Sequence, residues 1–247
     1  MKPDDPIVRP VCNARSPRLG GPALLAASQL DFRLLAERLQ LPDKRHLYMS
    51  QLLFDARHKD RPVLVGPLMG APYAAMLLEI LHAWGVDQVY FMGWCGSIDP
   101  DVLIGDILLP TSALVDEGTS LHYRCRHNDL VYPDQTRYNA LASGCRDRHV
   151  TCRDARVWTT DGVFRETPEK VAAYQARDAK VVEMELSAIF SVAAFRRMAA
   201  AGILVVSDEL FSLSWKPGFK ESKFLASREQ VIDCLCAAVR PRRDRTG

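Results

Sequence analysis

The sequence has no run of about 18 apolar residues, so no segment is suited to span a bilayer as a helix. It also has no CxxC pair. Its 7 cysteines, Cys12, Cys95, Cys125, Cys145, Cys152, Cys234 and Cys236, form an odd set, which argues against a disulfide framework or a zinc ribbon and reads as reduced thiols. The 6 histidines, His46, His58, His82, His122, His127 and His149, lack HExxH or other metal-ligand spacing, so no metal or other cofactor is expected. Neither sign of charge is in excess: 32 basic and 30 acidic residues leave a formal charge of +2, which steers the chain toward neither nucleic acid nor an anionic membrane. The expected partner is a small molecule. The opening MKPDDPIVRPVCNARSPRLGGP lacks the basic and then apolar layout of a secretory signal, which makes the cytoplasm the expected address.

What is present is an ordinary globular composition. With 247 residues, 48% hydrophobic and 25% charged, the chain is long enough for one α/β domain. The expected layout is a lead over residues 1–22, the domain over residues 23–240 and a frayed tail, PRRDRTG, over residues 241–247. PALLAAS, PVLVG, QVYFMG, GDILLP, ARVWTT, KVVEM and GILVVS are short apolar runs of strand length. Between them, FRLLAERL, the segment from Pro72 to Trp84, a segment from about Pro168, the run through Leu186, Ile189 and Phe190, and Arg228 to Val239 have helical spacing. Gly85 is placed to end the second of these, and the polar stretch Asp116 to Ser120 reads as loop. This alternation predicts a mostly parallel sheet covered on both faces, with ligands gathering beyond the C-terminal ends of its strands.

Two of those ends deliver carboxylates. VVEMELSAIF places Glu183, Met184 and Glu185 between a valine-rich strand and a helix. A buried carboxylate needs a partner, and a sugar diol offers two hydroxyl donors while a methionine packs on its face. Helix capping by the same glutamates is an equal alternative on spacing alone. VVSDEL brings Asp208 to a similar place, where partial burial would suit a general acid and a helix or turn cap is the simpler role. GPLMGAPYAAMLLE and GWCGS set glycines after strands, as turns or as anion nests, without dinucleotide or P-loop spacing. Cys95 has no adjoining base and reads as a small buried thiol.

Taken in series, GPLMGAPYAAMLLE, GWCGSIDPDVLIGDILLP, DEGTSLHY, TTDGVFRET, VVEMELSAIF and VVSDEL resemble the purine nucleoside and uridine phosphorylase superfamily, which also contains nucleosidases that use water. The resemblance runs from about Pro62 to Phe211. It implies a single three-layer α/β domain with a mixed central sheet forming a distorted barrel flanked by helices, assembled as a homo-oligomer, either a dimer or a hexamer. It also implies cleavage of a nucleoside's glycosidic bond by phosphate, giving a free base and a pentose 1-phosphate. Such a step builds positive charge on the sugar and negative charge on the base, so it calls for anions near the first and a proton donor near the second.

Carried across, the resemblance gives Glu185, Met184 and Met69 to the ribose, Phe164 and Glu183 to the base, and Asp208 to proton transfer. Phosphate would fall to Arg33 and to the glycine segments at Gly70 and Gly93. Phe91 and Trp94 stand where phosphorolytic members carry an arginine and a Ser or Thr, and Gln29 where nucleosidases carry a water-activating glutamate. An amide cannot take a proton from water. Hydrolysis and a non-catalytic nucleoside-binding protein are therefore the alternative readings.

Overall fold

The computed structural model describes residues 6–239, and the tail expected at residues 241–247 lies outside them. The first elements are β1 (Ala23–Ala26), α1 (Gln29–Leu39), β2 (Asp43–Leu47), β3 (Ser50–Phe54), β4 (Val63–Gly66), α2 (Ala71–Ala83) and β5 (Gln88–Ser97). There follow β6 (Ile107–Asp116), β7 (Leu130–Val131), α3 (Gln135–Arg146), β8 (Arg153–Thr160), α4 (Pro168–Gln175) and β9 (Ala179–Glu183). The last are α5 (Leu186–Arg196), β10 (Ala199–Glu209), β11 (Lys216–Pro217) and α6 (Ser222–Ala238).

Strand periodicity builds the layers. Successive side chains of a strand point to opposite faces, and here each face meets a different set of helices. Ala23, Leu25, Val63, Val65, Val89 and Phe91 pack with Leu77, Leu81, Ile189 and Phe190 of α2 and α5. Their alternates, Leu24, Ala26, Leu64, Tyr90 and Met92, pack with Phe32, Leu141, Phe224 and Ile232 of α1, α3 and α6. A strand buried on both sides has no polar positions, which is why these runs read as continuous apolar segments rather than as alternating ones.

The strands form one sheet in the order β11-β10-β6-β8-β9-β5-β1-β4-β3-β2, with an added pairing of β10 to β5. That pairing closes β10, β6, β8, β9 and β5 into a barrel of five strands. Around it β6–β8, β8–β9 and β5–β10 run parallel, whereas β9–β5 and β10–β6 run antiparallel. The sheet is thus mixed, as the resemblance implied, and not mostly parallel as the alternation suggested.

Several elements differ from the sequence reading. GWCGS is no loop: it is the end of β5, which continues through Ser97. The β2–β3 hairpin and α3 fall in segments that showed no strand or helix signal. β2 carries exposed Lys44, Arg45 and His46, and α3 buries only Leu141, Gly144 and Cys145. Ser120 opens a short 3₁₀ turn, Ser120–Tyr123, rather than extended loop, and α6 starts at Ser222, about 1.7 turns before Arg228. The lead segment lies against the domain, with Trp84 Nε1 donating to the Val11 carbonyl at 2.8 Å and Leu19 buried. Among the described residues no helix is long and apolar enough to cross a membrane.

Candidate active site

The site forms where β5, β8, β9 and β10 finish. The register pairs Val182 with Gly96 and Glu183 with Thr159, so Glu183 emerges between β5 and β8. On β10 a bulge interrupts the pairing with β5 between Val206 and Asp208, and such an irregularity re-aims the side chains beside it. Gly96 leaves room for the result, since a Cβ there would lie 3.1 Å from Asp208 Oδ2 and 2.5 Å from a Leu210 methyl.

Both capping and burial shape the Glu-Met-Glu triplet. Glu183 Oε2 accepts the amides of Glu185 and Leu186, each at 2.8 Å, and Oε1 accepts the Thr159 hydroxyl. Glu183 therefore closes the start of α5, using backbone donors that a helix N-terminus leaves free. Behind it, Thr159 Oγ1 accepts the Ser187 amide at 3.0 Å, and Ser187 Oγ donates to buried Glu117 at 2.8 Å. Glu117 also accepts the Ser120 amide at 3.0 Å, so the DEGTSLHY segment braces the first turn of α5.

Glu185 points the other way, its Oε1 accepting the Gly70 amide at 2.6 Å. Gly70 precedes α2 with φ +82°, a conformation that suits glycine, and it sets Met69 in the open at 77% exposure. The glycine segment and the triplet expected at the ribose are thereby joined. Burial pushes the carboxyls of Glu183 and Glu185 up, with the charge of Glu185 adding to Glu183 and the backbone donors opposing.

Beside the triplet lies a cavity of about 460 Å³, a size that suits a small-molecule ligand. Its lining brings together Met184, Glu183, Asp208, Phe164 and Glu166 with Trp94, Trp215 and Phe219. Phe164 is 97% exposed, an unsupported ring beside the opening. Asp208 is held on both oxygens: Ser207 Oγ donates to Oδ1 at 2.6 Å and Trp215 Nε1 to Oδ2 at 2.9 Å. Cys95 is a buried thiol pushed up by burial and then by the charges of Asp208 and Glu183, which makes it a poor nucleophile.

The residues expected at phosphate are not gathered in this cavity. Gly93 lies within β5 opposite Leu204, and a Cβ there would meet the Phe91 ring at 2.7 Å, so it forms part of a ladder and not an anion loop. The Gly70 amide is committed to Glu185. Arg33 is exposed on α1, apart from the cavity lining. Phe91 is fully buried, and Trp94 Nε1 donates to Asp31 Oδ2 at 2.6 Å. Asp31, wholly buried, also pairs with Arg228, whose Nε donates to Oδ1 at 2.8 Å and whose guanidinium lies over the Trp94 ring.

Glu166, Trp215 and Phe219 are the site residues that sequence reasoning missed. A signal existed for Glu166: it lies two residues after Phe164 in TTDGVFRET, directly before Thr167, which caps α4. SLSWKPGF gave only a polar stretch with two aromatics, and nothing local showed that it folds back over Asp208.

A family model described as the phosphorylase superfamily matches residues 23–240, and the chain belongs to this family. A DeoD-type purine nucleoside phosphorylase of Caldanaerobacter subterraneus subsp. tengcongensis is 27% identical over 193 residues, 76% of this chain and 82% of that one. Of two further curated relatives the chain spans only 64% and 58% of the length. Among solved structures, purine nucleoside phosphorylase of Toxoplasma gondii aligns with a TM-score of 0.74 at 16% identity, covering 90% of this chain and 91% of that one. AMP nucleosidase of Bacteroides thetaiotaomicron aligns with a TM-score of 0.69 at 21% identity, covering 88% and 87%. At those identities the likeness is one of fold, and the fold is that of nucleoside phosphorylases and nucleosidases.

Proposed function

We propose that this enzyme cleaves the N-glycosidic bond of a purine ribonucleoside with phosphate as acceptor, releasing the base and a pentose 1-phosphate. The observation that carries the reading is the cavity itself, which sets exposed aromatic rings and two carboxyl groups, Asp208 and Glu166, beside Met184. A planar base stacks on Phe164, and the carboxyl groups serve its ring nitrogens. The ribose is held by Glu185, with Met184 and Met69 against its apolar face, and Glu183 keeps α5 in place at the base end. With the Gly70 amide engaged by Glu185, the exposed Arg33 of α1 is the group left to draw phosphate. No cofactor is needed, and a homo-oligomer, dimer or hexamer, working in the cytoplasm goes with the reading.

The test is a panel of ribonucleosides incubated with purified protein, with and without phosphate. Purines are expected to be cleaved, with a 1-phosphate as the sugar product. No cleavage of any nucleoside in phosphate removes the proposal.

Hydrolysis is the second reading, favoured by one observation: no lysine, arginine or histidine lines the cavity among the described residues. A buried phosphate needs charge-assisted donors, whereas water does not. Free ribose in phosphate-free buffer supports hydrolysis, and a sugar product that is always a 1-phosphate ends it.

A further inference from the structure

We propose that Glu166 donates the proton the departing base requires, while Asp208, both of whose oxygens are held by protein donors, stands beside it as an acceptor. The proposal rests on the nucleoside-cleavage reading and names the acid within it.

The two carboxyl groups occupy unlike settings in one cavity. Asp208 accepts a hydrogen bond on each oxygen, from Ser207 and from Trp215, so a proton placed on it displaces or opposes a donor already there. Glu166 has no such partner. It sits between the 3₁₀ turn Val163–Arg165 and the Thr167 cap of α4, half-buried, with no side-chain hydrogen bond among the described residues. A carboxyl without a donor has nothing to stabilise its charged form, but it retains an O–H to offer a ligand.

The ionisable groups that share its cavity are Asp208 from β10, Glu183 from β9 and the buried thiol of Cys95 from β5; apart from Ser207 and Gly96, the remaining walls are aromatic or apolar. Burial, and after it the charge of Asp208, pushes Glu166 up to about 7. Glu183 has both oxygens engaged by Thr159 and the start of α5, so it is not available to compete for the role. Two neighbouring carboxyl groups in unlike settings can divide the work of donor and acceptor, and an acid is most effective when its pKa lies near the working pH.

The step balances with either nucleophile. The glycosidic C–N bond breaks and its electron pair passes to the base. The Glu166 O–H proton moves to a ring nitrogen of that base, and an oxygen of phosphate or water bonds to the anomeric carbon. Glu166 is left as a carboxylate and regains a proton from solvent. With water as nucleophile, the proton that the new C–O–H₂ group sheds balances it.

The experiment compares wild type, Glu166→Gln and Asp208→Asn by kcat/KM against pH, together with ¹³C-carboxyl NMR of glutamate-labelled protein. Wild-type activity is expected to fall as pH rises through about 7. Glu166→Gln loses roughly 100-fold or more and loses that limb. It retains turnover on an N7-methylated purine ribonucleoside, whose base is already cationic and leaves without a proton. Asp208→Asn keeps the limb but moves it to lower pH, because a neighbouring negative charge has gone. In the spectra, the resonance missing from Glu166→Gln titrates near 7 in wild type and lower in Asp208→Asn. If Glu166→Gln keeps both rate and limb while Asp208→Asn loses them, or if the resonance titrates in the ordinary glutamate range, Glu166 is not the acid. If wild type cleaves no nucleoside at all, it is the nucleoside reading that fails, and this assignment falls with it.

Discussion

At the scale of single residues, the triplet after β9 divides its labour. Glu183 is spent on the helix, with every oxygen engaged by protein donors, so substrate contact by a carboxylate at this place falls to Glu185. Glu185 gives one oxygen to the Gly70 amide, and a carboxylate has acceptor capacity beyond one bond. Glu185→Gln is expected to lower kcat by roughly 100-fold, since anionic stabilisation of a developing cation is worth several kcal/mol. Steady-state kinetics at saturating nucleoside checks this. Unchanged kcat with lowered thermal stability would make Glu185 only a clamp on the Met69–Gly70 segment. The triplet was legible in the sequence because two acids at the end of a buried strand demand a partner. Proximity to Phe164 marked Glu166, but its role was not legible, because its environment is made by Asp208, which arrives from a strand 42 positions further along, and by a loop that folds back.

At the scale of elements, α1 and α6 are joined by the buried pair Asp31–Arg228, with Trp94 completing the acceptor set of Asp31. The partners lie 197 positions apart, and nothing in either helix pattern marks them. Removing one member of a buried pair strands the other, at a cost of about 3–5 kcal/mol. Arg228→Met should therefore lower the urea midpoint sharply, and Asp31→Asn combined with it should recover much of the loss, since the amide oxygen still accepts from Trp94. Equal destabilisation by the single and the double variant would show that packing of Arg228 over Trp94 and Phe224, not charge, is what matters. Because Trp94 also lines the cavity, the single variant is expected to raise KM as well.

The elements themselves were readable where burial was two-sided. Runs such as Val63–Gly66 and Ala199–Glu209 show as strands because both faces meet helices. The β2–β3 hairpin escaped because its outer strand is solvated and charged, and α3 because it buries a narrow stripe. GWCGS looked like a loop by its glycines, yet those glycines admit the Phe91 ring at Gly93 and Asp208 at Gly96 within a continuing strand. Closure of the barrel by β5 and β10 is a pairing between segments more than 100 positions apart, set by topology and not by local pattern.

At the scale of the whole molecule, the formal charge is only +2, so a few groups whose pKa moves on folding set how stability responds to pH. Burial pushes Glu183 and Glu185 up, and burial with the charge of Asp208 brings Glu166 from 4.5 to about 7. A folded-state pKa above the unfolded one means that the native protein holds protons the unfolded chain has released. The stability these groups contribute is full below 4.5 and is lost as pH rises through the folded values. Asp55 works in the opposite sense. Burial alone would raise it, but Arg61, His58 and two backbone amides outweigh that and hold it at about 2, so its contribution is present above 3.8 and lost as pH falls. The two trends meet in mildly acid solution. The melting temperature is expected to be highest there and to fall by a few degrees between about pH 5 and about pH 8. Glu185→Gln should flatten the fall, because a neutral amide has no proton to lose. A nucleoside that places ribose hydroxyls on Glu185 should oppose it too, by giving the ionised form donors that the empty site lacks. Calorimetry across that range, with and without nucleoside, measures both, and a melting temperature that climbs steadily from pH 5 to pH 8 would show that these glutamates are ionised at no cost in the native protein.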